Sequence, residues 1–150
     1  MRRSRESDSR LRAPRFRLAM PLVLLAILAA TAVPGAVHAA TYVVHPDGSG
    51  DYATIQEAVN ACADGDTIEL GDGMFTGEGN RDISWQGKHL VIRSQSGDAD
   101  ACVIDCEGGQ TEPHRAFVIE DGDGSSLVLE NLTLRSGYAS GHGGAVHFAG

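Results

Sequence analysis

The stretch His45–Leu70, HPDGSGDYATIQEAVNACADGDTIEL, decides the fold, because a turn, a helix and a strand follow one another in it. The glycine-rich turn HPDGSGD comes first. Thr54 and Glu57 then have the S/T-x-x-E spacing of a helix-capping box. From Ile55 onward, apolar residues recur at i, i+3, i+4 and i+7, which places them on one face of a helix. The sequence therefore predicts a helix near 54–63.

Short strands are predicted on both sides of this helix. TYVV, at Thr41–Val44, is rich in β-branched and aromatic residues and is typical of a strand. After residue 70 no second helical period follows, and short apolar runs recur between turns rich in Gly, Asp and Ser. The strands are expected near 67–70, 89–94, 102–105, 116–120 and 127–135. Such spacing indicates a sandwich, a barrel or a solenoid, and an aromatic content of only 5% favours stacked coils filled by Val, Ile and Leu.

The first 39 residues are typical of a secretory signal peptide. An arginine-rich start precedes an apolar run that ends in small residues, and cleavage is expected after Ala39 or Ala40. The alternative is an uncleaved membrane anchor. The apolar run between Met20 and Pro34 is shorter than the roughly 20 residues that span a bilayer, so we expect export by the general secretory pathway and no transmembrane span after cleavage.

The remaining chain is strongly acidic. Seven of the 12 basic residues and two of the 20 acidic residues precede residue 40, which leaves 5 basic against 18 acidic residues and a net charge of −13. This charge excludes nucleic acid and anionic membrane surfaces as partners. It suits calcium as a cofactor, although composition does not place a site.

Three motifs resemble one group of proteins. DGSGDYATIQEAVNA (Asp47–Ala61) resembles the start of the pectinesterase-like right-handed parallel β-helix proteins, which have the pectin lyase fold. GDTIELGDGMFTG (Gly65–Gly77) resembles the step at which their first coil begins. GGAVHF (Gly143–Phe148) resembles the GGA-type repeat of bacterial β-helix surface proteins. The resemblance covers residues 41–150 and implies an all-β fold, a right-handed parallel β-helix (solenoid) with one N-terminal capping α-helix.

In such a fold the helix is interpreted as a lid. The end of a solenoid exposes unpaired backbone groups and an open apolar core, so it needs a cover with a polar outer face. The residues expected to close the core are Ile55, Ala58, Val59 and Cys62, and those expected to face water are Gln56, Glu57 and Asn60. A phosphate-binding loop is excluded, because GK[ST] is missing and Asp47 and Asp51 would repel an anion.

The expected domains are a signal peptide (1–39), the cap with the first strands (40–70) and the first coils of the β-helix (71–150). The sequence stops in GGAVHFAG, inside a repeat and without a capping element. We therefore expect the β-helix to be truncated at its C-terminal end and the chain to be the N-terminal fragment of a longer protein.

No catalytic constellation, cofactor site or metal site is predicted within the 150 residues. Asp105 and Asp121 each end a predicted strand and could form a pair, but turn-forming aspartates explain them better. Asp121 and Asp123 have the i, i+2 spacing of calcium ligands, but Leu132 stands where the closing Glu of a calcium loop would be.

Other chemistry-bearing residues are likewise interpreted as structural. The histidines that share no ligand spacing are His45, His89, His114, His142 and His147. The sequon NLT (Asn131–Thr133) falls within a predicted strand, where a ladder of stacked Asn or Thr side chains would account for it. Trp85 and Tyr138 could stack on a sugar ring, although packing is the commoner role of a lone aromatic residue.

The three cysteines leave the disulfide state open. Cys102 and Cys106 would lie roughly 13 Å apart in one strand, too far apart to bond to each other. A bridge from Cys62 to either remains possible in an exported protein.

Two functions are carried forward from the sequence. The first is a secreted or cell-surface repeat protein that serves as a non-catalytic binding or adhesion scaffold, with a polysaccharide or cell-surface ligand as partner. The alternative is a polysaccharide-acting enzyme, similar to a pectinesterase or lyase, whose catalytic residues lie beyond residue 150. The capping motif resembles both classes and does not separate them.

Overall fold

The computed structural model describes residues 38–119, 126–141 and 143–148. These residues lie in one compact unit, Ala36–Gly150, and contain ten strands and one short helix. The helix is α1 (Ile55–Ala61). The strands are β1 (Thr41–Val44), β2 (Thr67–Leu70), β3 (Gly73–Phe75), β4 (Ile83–Ser84), β5 (Leu90–Ser94), β6 (Cys102–Asp105), β7 (Phe117–Ile119), β8 (Leu127–Glu130), β9 (Thr133–Arg135) and β10 (Val146–Phe148). The expected signal peptide lies outside the described residues up to residue 37.

The ten strands pair in parallel and form three sheets. Sheet A has the order β1-β2-β5-β8, sheet B the order β3-β6-β9 and sheet C the order β4-β7-β10. From β2 onward the chain visits sheets A, B and C in turn, three times. We call each passage a circuit, so that the circuits are β2–β4, β5–β7 and β8–β10. The described part of the chain is therefore strand-rich with parallel sheets, which agrees with the all-β class expected from the sequence.

The register of the sheets places apolar side chains above one another in three stacks. The stack in sheet A is Ile68, Ile92 and Leu129; that in sheet B is Phe75, Ile104 and Leu134; that in sheet C is Ile83, Phe117 and Val146. Side chains alternate along a strand, so every second residue points into the core. Full burial of one such side chain contributes about 1.5–3 kcal/mol, so these stacks help to hold the circuits together.

The helix α1 covers this core as the sequence predicts. Ile55, Ala58 and Val59 are fully buried and Cys62 is nearly so. Thr54 caps the helix by accepting the N–H of Glu57 at 3.2 Å. The Glu57 carboxylate accepts the N–H of Ala53 and not the N–H of the cap residue Thr54. The return bond of the capping box therefore goes to the residue before the cap.

The far end of α1 is held by a lysine and a buried aspartate. Lys88 Nζ donates to the carbonyls of Val59 and Asn60 at 2.7 and 3.1 Å, and a cation is favourable at the negative end of a helix. Asp66, only 4% exposed, accepts the N–H groups of Ala40 and Ala63, each at 2.8 Å. This carboxylate fastens the residue before β1 to the exit of the helix.

Several strand predictions need correction. The expected single strand over 127–135 is wrong: it is two strands in different sheets, because Asn131 has a left-handed backbone (φ 54°) that turns the chain between them. The strands β3 and β4 were not predicted, since three- and two-residue strands carry too few residues to show a period of two. The strand expected over 116–120 begins one residue later, at Phe117, and residue 120 lies outside the described residues.

No helix in the described ranges is both long enough and apolar enough to cross a membrane.

Candidate binding cleft

A cleft of about 660 Å³ lies beside the start of α1. The loop between β3 and β4 forms one wall, and the residues just before β7 contribute the other. The lining residues are Thr54, Gln56, Glu57, Glu78, Gly79, Arg81, Asp82 and His114. Three segments that are far apart in the chain therefore meet at this cleft.

The loop after β3 is fixed in place by the first turn of α1. Ile55 donates its N–H to the Asn80 side chain at 3.1 Å, and Gln56 donates its N–H to the Gly79 carbonyl at 2.8 Å. These are N–H groups that the helix itself cannot satisfy. Gly79 has φ 84°, and a Cβ there would lie 2.9 Å from Thr54, so this position requires glycine.

The most organised polar group in the cleft is the pair Asp82–His114. Asp82 Oδ2 lies 2.6 Å from His114 Nδ1, and Asp82 Oδ1 accepts the N–H of Arg115 at 2.8 Å. The Asp82 N–H also donates to the Arg115 carbonyl at 2.6 Å, and Asp82 has φ 49°. The carboxylate thus joins the first circuit to the second at the entrance to β4 and β7.

An ion pair between Arg81 and Glu107 joins the same two circuits. Arg81 Nη1 lies 2.7 Å from Glu107 Oε2, and the same oxygen accepts the N–H of Gly77 at 3.0 Å. Both side chains are partly exposed, so the pair is worth little by itself. The pair does mean that the Arg81 guanidinium, which lines the cleft, already has a carboxylate partner.

The cleft is lined mainly by polar and charged side chains. Glu57, Glu78 and Asp82 bring three carboxylates, while Arg81 is paired with Glu107. Thr54 adds a hydroxyl and His114 an imidazole ring. Among the described residues, no group of three or more His, Cys, Asp or Glu side chains is arranged to hold a metal ion.

Of the aspartates weighed from the sequence, Asp105 has a clear role. It accepts the N–H of Glu107 at 3.1 Å, two residues on, and the Nε of Arg135 at 2.9 Å from the next circuit. The Glu107 N–H, with help from Ser136 and Arg135, holds the pKa of Asp105 below its ordinary value. This is the geometry of an ionised, turn-forming aspartate. Asp121 and Asp123 lie outside the described residues.

The aromatic residues and the sequon are also placed. Trp85 is 1% exposed and belongs to the core, so it does not offer a sugar-stacking face; Tyr138 is half-buried. The expected ladder at Asn131–Thr133 is wrong, because Asn131 lies exposed in a turn and Thr133 stacks on Val103.

The histidines do not converge in the described part of the chain. His45 and His147 are half-buried, and His89 Nδ1 lies 3.2 Å from Ser126 Oγ. Only His114 lies in the cleft, and His142 is outside the described residues.

The three cysteines are unpaired and buried. Burial is the main cause that raises the pKa of Cys62, Cys102 and Cys106, each to about 11. Because the thiolate is the reactive form, these thiols are inert in the folded protein, and the disulfide left open by the sequence is not formed.

Sequence reasoning missed the cleft. Asp82 was not singled out, and His114 was considered only for metal-ligand spacing. Their contact depends on the register Ile83↔Phe117, which places residues some thirty positions apart side by side. An alignment of the apolar residues of β4 with those of β7 is the one signal that could have suggested it.

Searches against family models, curated proteins and solved structures gave no match to this chain.

Proposed function

We propose that strands β2–β10 form coils of a right-handed parallel β-helix, and that the protein is a secreted or cell-surface binding scaffold without catalytic activity. The observation that supports the β-helix is the pairing of each strand with the third strand after it, in parallel, in all three sheets from β2 onward. Successive strands of one sheet are then joined by crossovers, and such connections are right-handed in about 98% of cases.

The polar side chains of the cleft make bonds within the protein itself, which supports a scaffold role. In the cleft, Asp82 and Arg81 bind groups of the neighbouring circuit, and the Thr54 hydroxyl caps α1. These groups fasten the circuits to one another.

The outer faces of the sheets supply the binding surface in this proposal. Glu69 and Arg93 are register partners and form an ion pair of 2.7 Å on sheet A. Asp105 and Arg135 are register partners on sheet B, with an ion pair of 2.9 Å. Strands repeat at about 4.8 Å, so sheet A carries a short row of alternating charges, Glu69, Arg93 and Glu130, and sheet B carries the single pair. A polysaccharide or another extended cell-surface ligand with repeating polar groups fits such a row.

The charge of the molecule favours a neutral or cationic ligand over a polyuronate. The exported chain carries 18 acidic against 5 basic residues, and the arginines on sheets A and B are already paired with carboxylates. Charge repulsion therefore opposes an acidic polymer.

The test is to measure binding and turnover on the same purified chain. Neutral glycans and polyuronates are titrated by calorimetry, and released reducing ends, methanol and unsaturated products are assayed in parallel. We expect binding of a neutral glycan that is weakened by Arg93→Ala together with Arg135→Ala, with no product released. De-esterification or cleavage of a polyuronate would overturn the proposal in favour of an enzyme.

A further inference from the structure

Each of the three sheets begins with an edge strand. These strands are β1 in sheet A, β3 in sheet B and β4 in sheet C, and β1 and β4 contact α1. An edge strand presents unpaired N–H and C=O groups, to which a strand of another molecule can add. One short segment, Pro46–Gln56, reaches the edges of β1 and β4.

At sheet C the side chain of Gln56 takes the place of a neighbouring strand. Ile83 and Trp85 donate their N–H groups toward β7, so the backbone groups of Ser84 between them point the other way, as alternation in a parallel strand requires. Gln56 Oε1 accepts the Ser84 N–H at 2.7 Å, and Gln56 Nε2 donates to the Ser84 carbonyl at 3.2 Å. One amide side chain thus satisfies both groups.

At sheet A, Asp51 satisfies the outward-pointing backbone groups of Val43 in the same way. Thr67 and Gly71 of the β2 region donate to the carbonyls of Ala40 and Val44, so the groups of Val43 point away from β2. The Val43 N–H donates to Asp51 Oδ2 at 2.8 Å, and the Asp51 N–H donates to the Val43 carbonyl at 2.7 Å.

The close approach of this segment to β1 depends on a glycine. A Cβ on Gly50 would collide with the Val43 carbonyl, so a residue with a side chain here would push the segment away from the strand.

Sheet B differs from the other two sheets. The N–H of Gly73 points toward β6, where it donates to the Ala101 carbonyl at 2.8 Å, so the backbone groups of Met74 point away from β6. Pro46 lies beside Gly73, since a Cβ on Gly73 would be 2.8 Å from Pro46 Cγ. This contact packs the segment against β3 at Gly73 and not at the outward-pointing groups of Met74.

We propose that Asp51 and Gln56 are surrogate strands that close the first edges of sheets A and C to strand addition. The burial of the α1 apolar stripe covers the core, whereas these two residues cover the backbone. The consequence is a direction: addition of a further strand to sheets A and C is opposed at the α1 side. This inference is independent of the ligand proposed above.

The experiment compares the self-association of variants by sedimentation velocity on the purified full chain. Asp51→Ala combined with Gln56→Ala is expected to raise the weight-average mass relative to wild type by at least one further copy. Asp51→Asn keeps an acceptor oxygen and should sediment as wild type does. Asn60→Ala, on the same helix as Gln56, is the matched control. It removes the oxygen that accepts from the side-chain amides of Gln56 and Gln86, and it leaves the bonds between Gln56 and Ser84 in place. Equal sedimentation of the double variant and wild type would overturn the proposal.

Hydrogen exchange tests each edge separately and does not require the double variant to fold. In the wild type, the Ser84 and Val43 amides should be protected; exchange of either at the rate of an open turn would contradict the proposal. Gln56→Ala should speed exchange of Ser84 about tenfold, near the upper value for the net contribution of one hydrogen bond, and leave Val43 unchanged. Asp51→Ala should do the reverse.

Discussion

The part of the core beneath α1 and the part formed by the third circuit are built from the same kinds of residue, but they are buried to different degrees. Val44, Ile68 and Ile92 are fully buried. Leu129 and Val146, in the third circuit, are only partly buried against the same core. Strands of the second circuit are paired on both sides, whereas β8, β9 and β10 are paired on one side within the described residues. In stacked structures each layer is stabilised by its nearest neighbours, so burial here follows the number of neighbours and not the residue type.

The largest expected effect comes from the middle of the stack in sheet A. Ile92→Ala removes a fully buried side chain that is packed between Ile68 and Leu129, and should lower the free energy of unfolding by about 3–4 kcal/mol. Leu129→Ala, in the same stack, should cost about half as much, because the side chain is already partly exposed. Denaturant unfolding of both variants measures the difference, and equal losses would show that the third circuit is as well packed as the second.

The next effect tests the fastening at the α1 side. Asp66→Ala leaves the N–H groups of Ala40 and Ala63 without their acceptor in a buried position. We expect a loss of about 2 kcal/mol, the range found when a charged hydrogen-bond partner is removed. Asp100→Ala, at an exposed aspartate, is the control and should change stability by less than about 0.5 kcal/mol. A similar small change for Asp66→Ala would mean that the chain before β1 contributes nothing to the cap.

A smaller effect concerns the start of α1. Thr54→Ala removes the hydroxyl that accepts the Glu57 N–H and should cost about 1 kcal/mol. Thr111→Ala, at an exposed residue in a bend, should be near neutral in the same unfolding experiment. If Thr54→Ala is also neutral, the loop bonds to Ile55 and Gln56 are sufficient to begin the helix.

The smallest effect is a pH dependence in the outer ladder of sheet B. Because the pKa of Asp105 is lower in the folded chain than its ordinary value of 3.8, its contribution is present above that pH. It is lost as the pH falls through the folded pKa. Asp105→Asn should therefore cost less than about 1 kcal/mol at neutral pH, and the difference from wild type should vanish in acid. A difference that persists at the lowest pH would assign the effect to packing.

The sequence predicted the elements that have a strong local signal. The α1 stripe, β1, β2 and β6 follow from periodicity and composition, since four apolar residues on one face of a helix, or a strand of four residues, suffice to show a pattern. The very short strands β3 and β4 lack that length. The turn at Asn131 was missed because Leu127–Arg135 has the pattern of one apolar run. Only the left-handed backbone of Asn131 divides this run between sheets A and B.

The cleft was not predictable in the same way. Asp82 and His114 meet because β4 and β7 are in register, and the register depends on the lengths of two loops that carry no repeat in the sequence. Likewise, Gln56 was expected to face water, yet it is half-buried with its amide on Ser84. Helical periodicity gives the direction of a side chain but not the backbone group that lies beyond it.

The regular pairing of strands also determines how the chain can fold. Glu69 and Arg93, on adjacent strands of sheet A, are 24 residues apart, and Asp105 and Arg135, on sheet B, are 30 apart. Each added circuit therefore closes a loop of similar length, and the entropy of loop closure grows only slowly with that length. The free-energy barrier to adding a circuit should be nearly the same at each step. Once α1 has docked on the first strands, folding can proceed one circuit at a time along the chain, at a rate set by the closure of a single circuit.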